Sequence, residues 1–343
     1  MNKMNRMTHI LRNLLLAALS AGLAASCAKT AEDATQETSR LYFDAWMAIH
    51  YPNAVEKDGV YIIDDQPGTG LEWRENLPVT LLNYTVRSLD GAVTHNADED
   101  MARQLGIWTN TGYYGPQVTM TGENVSFAGL DAVLEGMRQG GTRTAIIPSW
   151  MMTYKRYTDP NAYPENPTGN EAAIYTVTFR EQTADLSQYE FRRLQQYASG
   201  QWAVTDTLGT AAVFFKSFTR FDGEPAALPK DTTVYINYTG RRVYDGQVFD
   251  TSVADTAKLY NIYNPAKTYA PVAINWSETP DGMTMGSGTD LIDGFKHGLY
   301  AMHADEKASF AFGYQLGYKS SAKGELIPAY AALQYDIELV PKP

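Results

Sequence analysis

Two stretches of this 343-residue chain carry apolar residues that step by three, four and three. One is Phe127, Leu130, Leu134 and Met137; the other is Ile292, Phe295, Leu299 and Met302. Each set is a single stripe of a short helix. After each stripe comes a polar turn containing Gly or Asp and then a strand, TRTAIIP after Gly141 and KASFAF after Glu306. Ahead of each stripe a strand Tyr precedes an Asp-Gly turn, in NYTVRSLDGAV from Asn83 and NYTGRRVYDGQV from Asn237, a hairpin signal. Each half closes with a similar strand, AAIYTVTF from Ala172 and AALQYDIEL from Ala331. Each half is also led in by a helix and a strand. A helix near residues 41–49 precedes GVYIID, and one near residues 188–198 precedes AAVFFKSF. Ser187 and Glu190 have capping-box spacing for the second helix, and Gly200 suits its end. The pattern predicts an α+β chain in which one antiparallel sheet-and-helix unit occurs twice, joined near residues 181–200. The alternative is one such domain beside an unrelated one.

The beginning of the chain adds a destination. Lys3, Arg6 and Arg12 precede an apolar run from Leu14 to Ala25, too short for a spanning helix and suited to a secretory signal. Cys27 follows Leu23-Ala24-Ala25-Ser26 and is the only cysteine. Small residues before a lone Cys look like a bacterial lipoprotein cleavage box, which makes residues 1–26 a signal peptide and Cys27 the lipidated residue. The alternative is an ordinary signal with an incidental Cys. Residues 27–40 are small and polar and are expected to form a flexible tether. Lipid on Cys27 would hold the protein to a membrane of the cell envelope. No later run is long enough to cross a bilayer.

Charge narrows the partners. The chain carries −11, and loss of the three signal cations leaves −14. That balance argues against nucleic acid or an anionic lipid surface. Its five histidines, without a cysteine cluster, form no metal pattern, so no metal or other cofactor is expected.

The second half also holds an ordered set of short motifs. These are Tyr238-Thr239-Gly240, Asp245-Gly246, Phe249-Asp250, Gly294-Phe295, Met302, Tyr318, Ile327-Pro328 and Tyr335-Asp336-Ile337-Glu338-Leu339. In this order they resemble the FKBP-type peptidyl-prolyl isomerases. The resemblance implies two tandem FKBP-like domains, each an antiparallel half-barrel wrapped on a short helix. The first would span residues 41–182 in degenerate form, and the second residues 183–343 with its lead-in helix. It places Phe295 on the floor of a proline pocket, where many members carry Trp. Tyr238, Phe249 and Tyr335 would be its walls, and Leu291 and Ile292 its rim. Tyr318 would give its hydroxyl to a substrate carbonyl, Asp250 would sit near the twisting bond, and Ile327 would close the loop side. The same residue types would also serve as plain core of a small barrel.

Two departures matter. Between Asp250 and Leu291 the chain is longer than a minimal family member by roughly twenty residues, and long loops beside a barrel are often functional. The insert, around residues 253–285, carries Tyr260, Tyr263, Tyr269 and Trp276; it either extends the substrate groove or lies over the pocket. In the first half Thr94-His95 stand for Phe-Asp, and Leu130 for the floor aromatic, so that half is expected to be inactive. The resemblance therefore implies an isomerase that helps proline-containing exported polypeptides fold. The alternative is a non-catalytic FKBP-like binding or chaperone lipoprotein.

Overall fold

The computed structural model describes residues 31–165 and 169–343. The signal peptide and Cys27 lie outside the described residues. The described residues open with helix α1, Ala31–His50. It therefore begins inside the segment expected to be a flexible tether, and the expectation is corrected for residues 31–40. The reason is compositional: Ala, Glu and Gln favour helix even where no apolar stripe is present. Farther along α1, Phe43 and Met47 bury against Ile146.

The first sheet contains β1 (Glu56–Lys57), β2 (Val60–Gln66), β3 (Val79–Ser88), β4 (Val93–Asn96), β5 (Gln117–Met120), β6 (Thr142–Ile147) and β7 (Ala173–Thr183). Helix α2 (Glu99–Gln104) lies between β4 and β5, and α3 (Ala128–Leu134) between β5 and β6. The strand order is β1-β2-β6-β7-β3-β4, with β5 also on β3. Helix α4 (Leu186–Trp202) then leads to the second sheet. That sheet contains β8 (Val213–Ser217), β9 (Thr233–Arg242), β10 (Val248–Thr251), β11 (Val272–Asn275), β12 (Thr284–Met285), β13 (Lys307–Phe312) and β14 (Leu333–Val340). Helix α5 (Ala254–Leu259) follows β10, and α6 (Asp293–Tyr300) precedes β13. The order is β12-β11-β9-β14-β13-β8, with β10 also on β9. Strand for strand, β2-β6-β7-β3 repeats as β8-β13-β14-β9, and all of these pairs are antiparallel. The fold is α+β, built from two antiparallel half-barrels.

Each sheet wraps a helix through the predicted stripe. Leu130, Leu134 and Met137 are buried under the first sheet, and Phe295, Leu299 and Met302 under the second. Helix α6 packs closely on its sheet where Gly294 faces Phe312. A Cβ there would stand 2.3 Å from that ring, so only glycine permits the approach.

The cap of α4 differs from expectation. Asp185, not Ser187, is the N-cap and accepts from Gln188 N. Gly200 lies within the helix, which ends at Ala203 in a left-handed conformation. Glu190 is turned inward instead, to the backbone N–H of Tyr314 at 3.0 Å. Helix α4 touches both sheets. Leu186 and Tyr189 pack on Val79 and Leu81 of β3, while Leu194, Ala198 and Trp202 pack on Phe214, Val243 and Ala311.

Candidate active site

The β9–β10 hairpin sets the site. The two strands pair with a register shift between Val248 and Asp250, opposite Arg241 and Gly240. This bulge puts an extra residue, Phe249, into the strand and re-aims it. Its ring lies across Gly240, where a Cβ would be 2.7 Å from the ring carbons and 2.9 Å from Tyr335 Cε1. Phe249 meets Tyr335 edge-on at 5.8 Å, and Phe295 meets it edge-on at 4.8 Å. Both are favoured aromatic geometries. Tyr238, Phe249, Phe295, Ile327 and Tyr335 are buried in one cluster, with Leu291, Ile292 and Tyr318 packed partly exposed on it. Ile292 is the N-cap of α6, so its N–H stands outside the helical ladder.

Polar groups converge above this aromatic bed. The Tyr238 hydroxyl donates to Asp250 at 2.7 Å. The Tyr335 and Tyr318 hydroxyls are hydrogen-bonded to each other, and burial holds both phenols above their ordinary range. Burial raises Tyr238 as well, reinforced by the Asp250 charge. These tyrosines stay protonated at any physiological pH and act as hydrogen-bond donors. The structure thus brings all nine residues of the predicted pocket together.

Residues 224–340 match the family model of the FKBP-type peptidyl-prolyl cis-trans isomerases. This segment is an FKBP-type domain. FK506-binding protein 2 of Candida glabrata is 30% identical over 114 residues, 33% of this chain and 66% of that relative. The short-type peptidyl-prolyl cis-trans isomerase of Methanocaldococcus jannaschii is 32% identical over 74 residues, 22% of this chain and 41% of that relative. The chain therefore spans 66% and 41% of the length of these curated relatives. Among solved structures, the three FKBP domains of wheat FKBP73 align at 14% identity over 82% of this chain and 94% of that chain, with a TM-score of 0.29.

The insert in the FKBP-type domain does two things. One part completes the barrel: β11 pairs with β9, and Trp276 is buried and stacks on Tyr300 at 5.9 Å. The other part brings Lys267 to the site, where its ammonium pairs with Asp250 and donates to Thr251 O at 2.9 Å. The same ammonium lies 5.8 Å from the Tyr238 ring and 5.5 Å from the Tyr269 ring, within cation–π range. Motif reading missed Lys267, whose role rests on contact across a loop. Its one sequence clue is a cation set among the aromatics of the insert.

The first half repeats the frame without the chemistry. His95 lies opposite Val86 in a hairpin bulged at the same place, so it occupies the position of Asp250, Thr94 that of Phe249, and Val86 that of Gly240. Tyr84 and Tyr175 correspond to Tyr238 and Tyr335. Burial pushes the Tyr175 phenol up to about 12, with Tyr84 and Tyr154 close enough to add to it. His95 stacks on Tyr84 at 4.4 Å and is held neutral by burial. Leu130 sits under the sheet where Phe295 does in the FKBP-type domain.

The two halves meet at Arg242, 3% exposed. Its guanidinium donates to Thr111 O at 3.3 Å and Gly112 O at 3.0 Å in the first half, and to Leu326 O at 2.8 Å in the pocket loop. It also pairs with Asp245 at 2.7 Å. Among the described residues no cluster of His, Cys, Asp and Glu could hold a metal ion.

Proposed function

We propose that the chain is a peptidyl-prolyl cis-trans isomerase acting on proline-containing unfolded or exported polypeptides, with the activity in the FKBP-type domain. The observation that carries this reading is the convergence of Asp250, Tyr238, Tyr318 and Tyr335 over the Phe249–Phe295 aromatic bed. Rotating an X–Pro bond crosses a barrier of about 18–20 kcal/mol and needs no covalent step. The twisted amide has lost its resonance, and its carbonyl is less polar than in the planar form. An apolar aromatic bed therefore favours the twisted form over the planar, solvated one. Tyr318 lies half-buried at the edge of the cluster, where its hydroxyl can donate to a substrate carbonyl. Lys267 neutralises Asp250, so the lip of the pocket suits an uncharged amide.

Tyr318→Phe keeps the ring and removes one hydroxyl. Its expected effect is a two- to tenfold loss in kcat/KM on short X–Pro peptides, the worth of about 0.5–1.5 kcal/mol for a neutral hydrogen bond. Asp250→Ala is expected to lower the rate with the fold retained. Full activity of both variants would place the chemistry elsewhere.

A second reading is a binding protein without turnover. Lys267 on Asp250 favours it, because the insert then covers part of the lip. Wild-type protein that suppresses aggregation of an unfolded client yet leaves X–Pro peptides untouched would establish it.

We further infer an envelope lipoprotein anchored through Cys27, supported by the small-residue box before that cysteine. Cys27→Ala is expected to leave the membrane fraction. Retention there at the wild-type level would remove the anchor from the reading.

A further inference from the structure

At the junction of the halves lies a cavity of about 630 Å³. One wall is the outer edge of the first sheet, with Thr94, His95 and Gln117, and the other is the pocket loop, with Ala322, Gly324 and Pro328. Strand β4 pairs with β3 on one side, and among the described residues no strand pairs its other side. An open strand edge presents a row of backbone donors and acceptors that an extended chain can pair with. Glu325 is the sole charged side chain among the lining residues, with His95 neutral by burial. Such a wall suits an uncharged polypeptide backbone, not a phosphate or a cationic group. The His95 ring stands in the same wall beside Gln117, which hydrogen-bonds it, while its Nε2 is buried with no partner. The groove is preformed, since Arg242 ties Leu326 O to Thr111 O and Gly112 O. One loop links it to the proline pocket. The loop that gives Tyr318 and Ile327 to the pocket cluster gives Gly324 and Pro328 to the groove.

We propose that this groove is an extended-chain subsite, in which a client segment flanking the proline docks along the open edge of β4 while its X–Pro bond lies over Phe295. The proposal rests on the isomerase reading and makes the first half the part that holds long substrates.

Thr94→Trp and Ala322→Trp fill the groove from opposite walls and leave every residue of the proline pocket in place. Each is made in the full chain and assayed on two substrates. One is a tetrapeptide too short to leave the pocket. The other is ribonuclease T1, reduced and carboxymethylated, whose refolding is limited by proline isomerisation. Tetrapeptide kcat/KM is expected to stay within about twofold, while that for the unfolded protein falls about fivefold or more, as expected from losing a few backbone hydrogen bonds. Unchanged turnover of the unfolded protein in both variants overturns the subsite, and so does an equal fall on both substrates. If wild type turns over neither substrate, the isomerase reading fails by itself. The groove is then judged by anisotropy of the fluorescein-labelled unfolded protein: weaker binding in both variants supports it, and unchanged binding overturns it. A groove filled in wild type by a second copy would show as a dimer in sedimentation that either variant dissociates, and this also overturns the proposal.

Discussion

Gly240 separates the two halves more sharply than any catalytic side chain. Its missing Cβ leaves the space across which Phe249 lies. The first half has Val86 in that place, opposite His95, and Thr94 in place of the ring, so nothing competes for the space. Gly240→Val in the full chain is therefore expected to expel Phe249. Stability should fall by about 1–3 kcal/mol, as in overpacked cores, and X–Pro turnover should fall with it. Thermal unfolding and a peptide assay check this together; a variant with wild-type melting and turnover would show that the ring does not need the glycine. At this scale much of the site was legible. Phe249-Asp250, Phe295, Tyr318 and Tyr335 sit in motifs whose order carries information. Lys267 was not legible, because it gains its role only when a loop of no fixed pattern folds back beside a strand.

Helix α4 joins the halves, and its buried carboxylate titrates where cells live. Glu190 is 5% exposed, and burial raises its carboxyl to about 7, with the Tyr314 N–H and Arg193 only partly opposing. A raised carboxyl favours the protonated folded form. Its contribution is fully present below the unfolded value, near 4.5, and is lost as pH rises through about 7. The stability difference from this one group is on the order of 3 kcal/mol across that window. Glu190→Gln can still accept from Tyr314 N and carries no charge to bury. Its unfolding free energy in denaturant is expected to lose most of the decline between pH 5 and pH 8 and to exceed wild type at pH 8. An identical pH slope in the variant would mean that the carboxylate is not the titrating group. The sequence hid this role behind a plausible alternative. Ser187 and Glu190 have the spacing of a capping box, but Asp185 caps two residues earlier and leaves Glu190 free to turn inward. The strands and the two helical stripes were legible because their periods are set by burial on one face, a property the residues carry locally.

For the whole molecule, the repeat in the sequence became a repeat in strand order, while the contact between the halves left no trace in the pattern. Arg242 reads as an ordinary strand cation, yet it is buried and bonded to carbonyls from both halves. That contact steadies the pocket loop without supplying any group of the pocket. Residues 183–343 expressed alone are expected to turn over X–Pro peptides at a lower melting temperature than the full chain. Residues 28–182 are expected to show no turnover, because Leu130 and Thr94 give no aromatic bed. Turnover confined to residues 28–182 in the same assay would reverse the assignment of the halves.

Strand β14 lies between β9 and β13 and carries the Tyr335 wall. The ribosome delivers it after every other strand of its sheet. Until then β9 and β13 flank an empty slot, and pairing across it is non-local and slow. The first sheet waits in the same way for its own central strand β7, but that strand is finished at Thr183. A nascent chain therefore has its first half-barrel, with the open edge of β4, complete while the second is still being made. The proline pocket comes into being only with the final strand of its sheet.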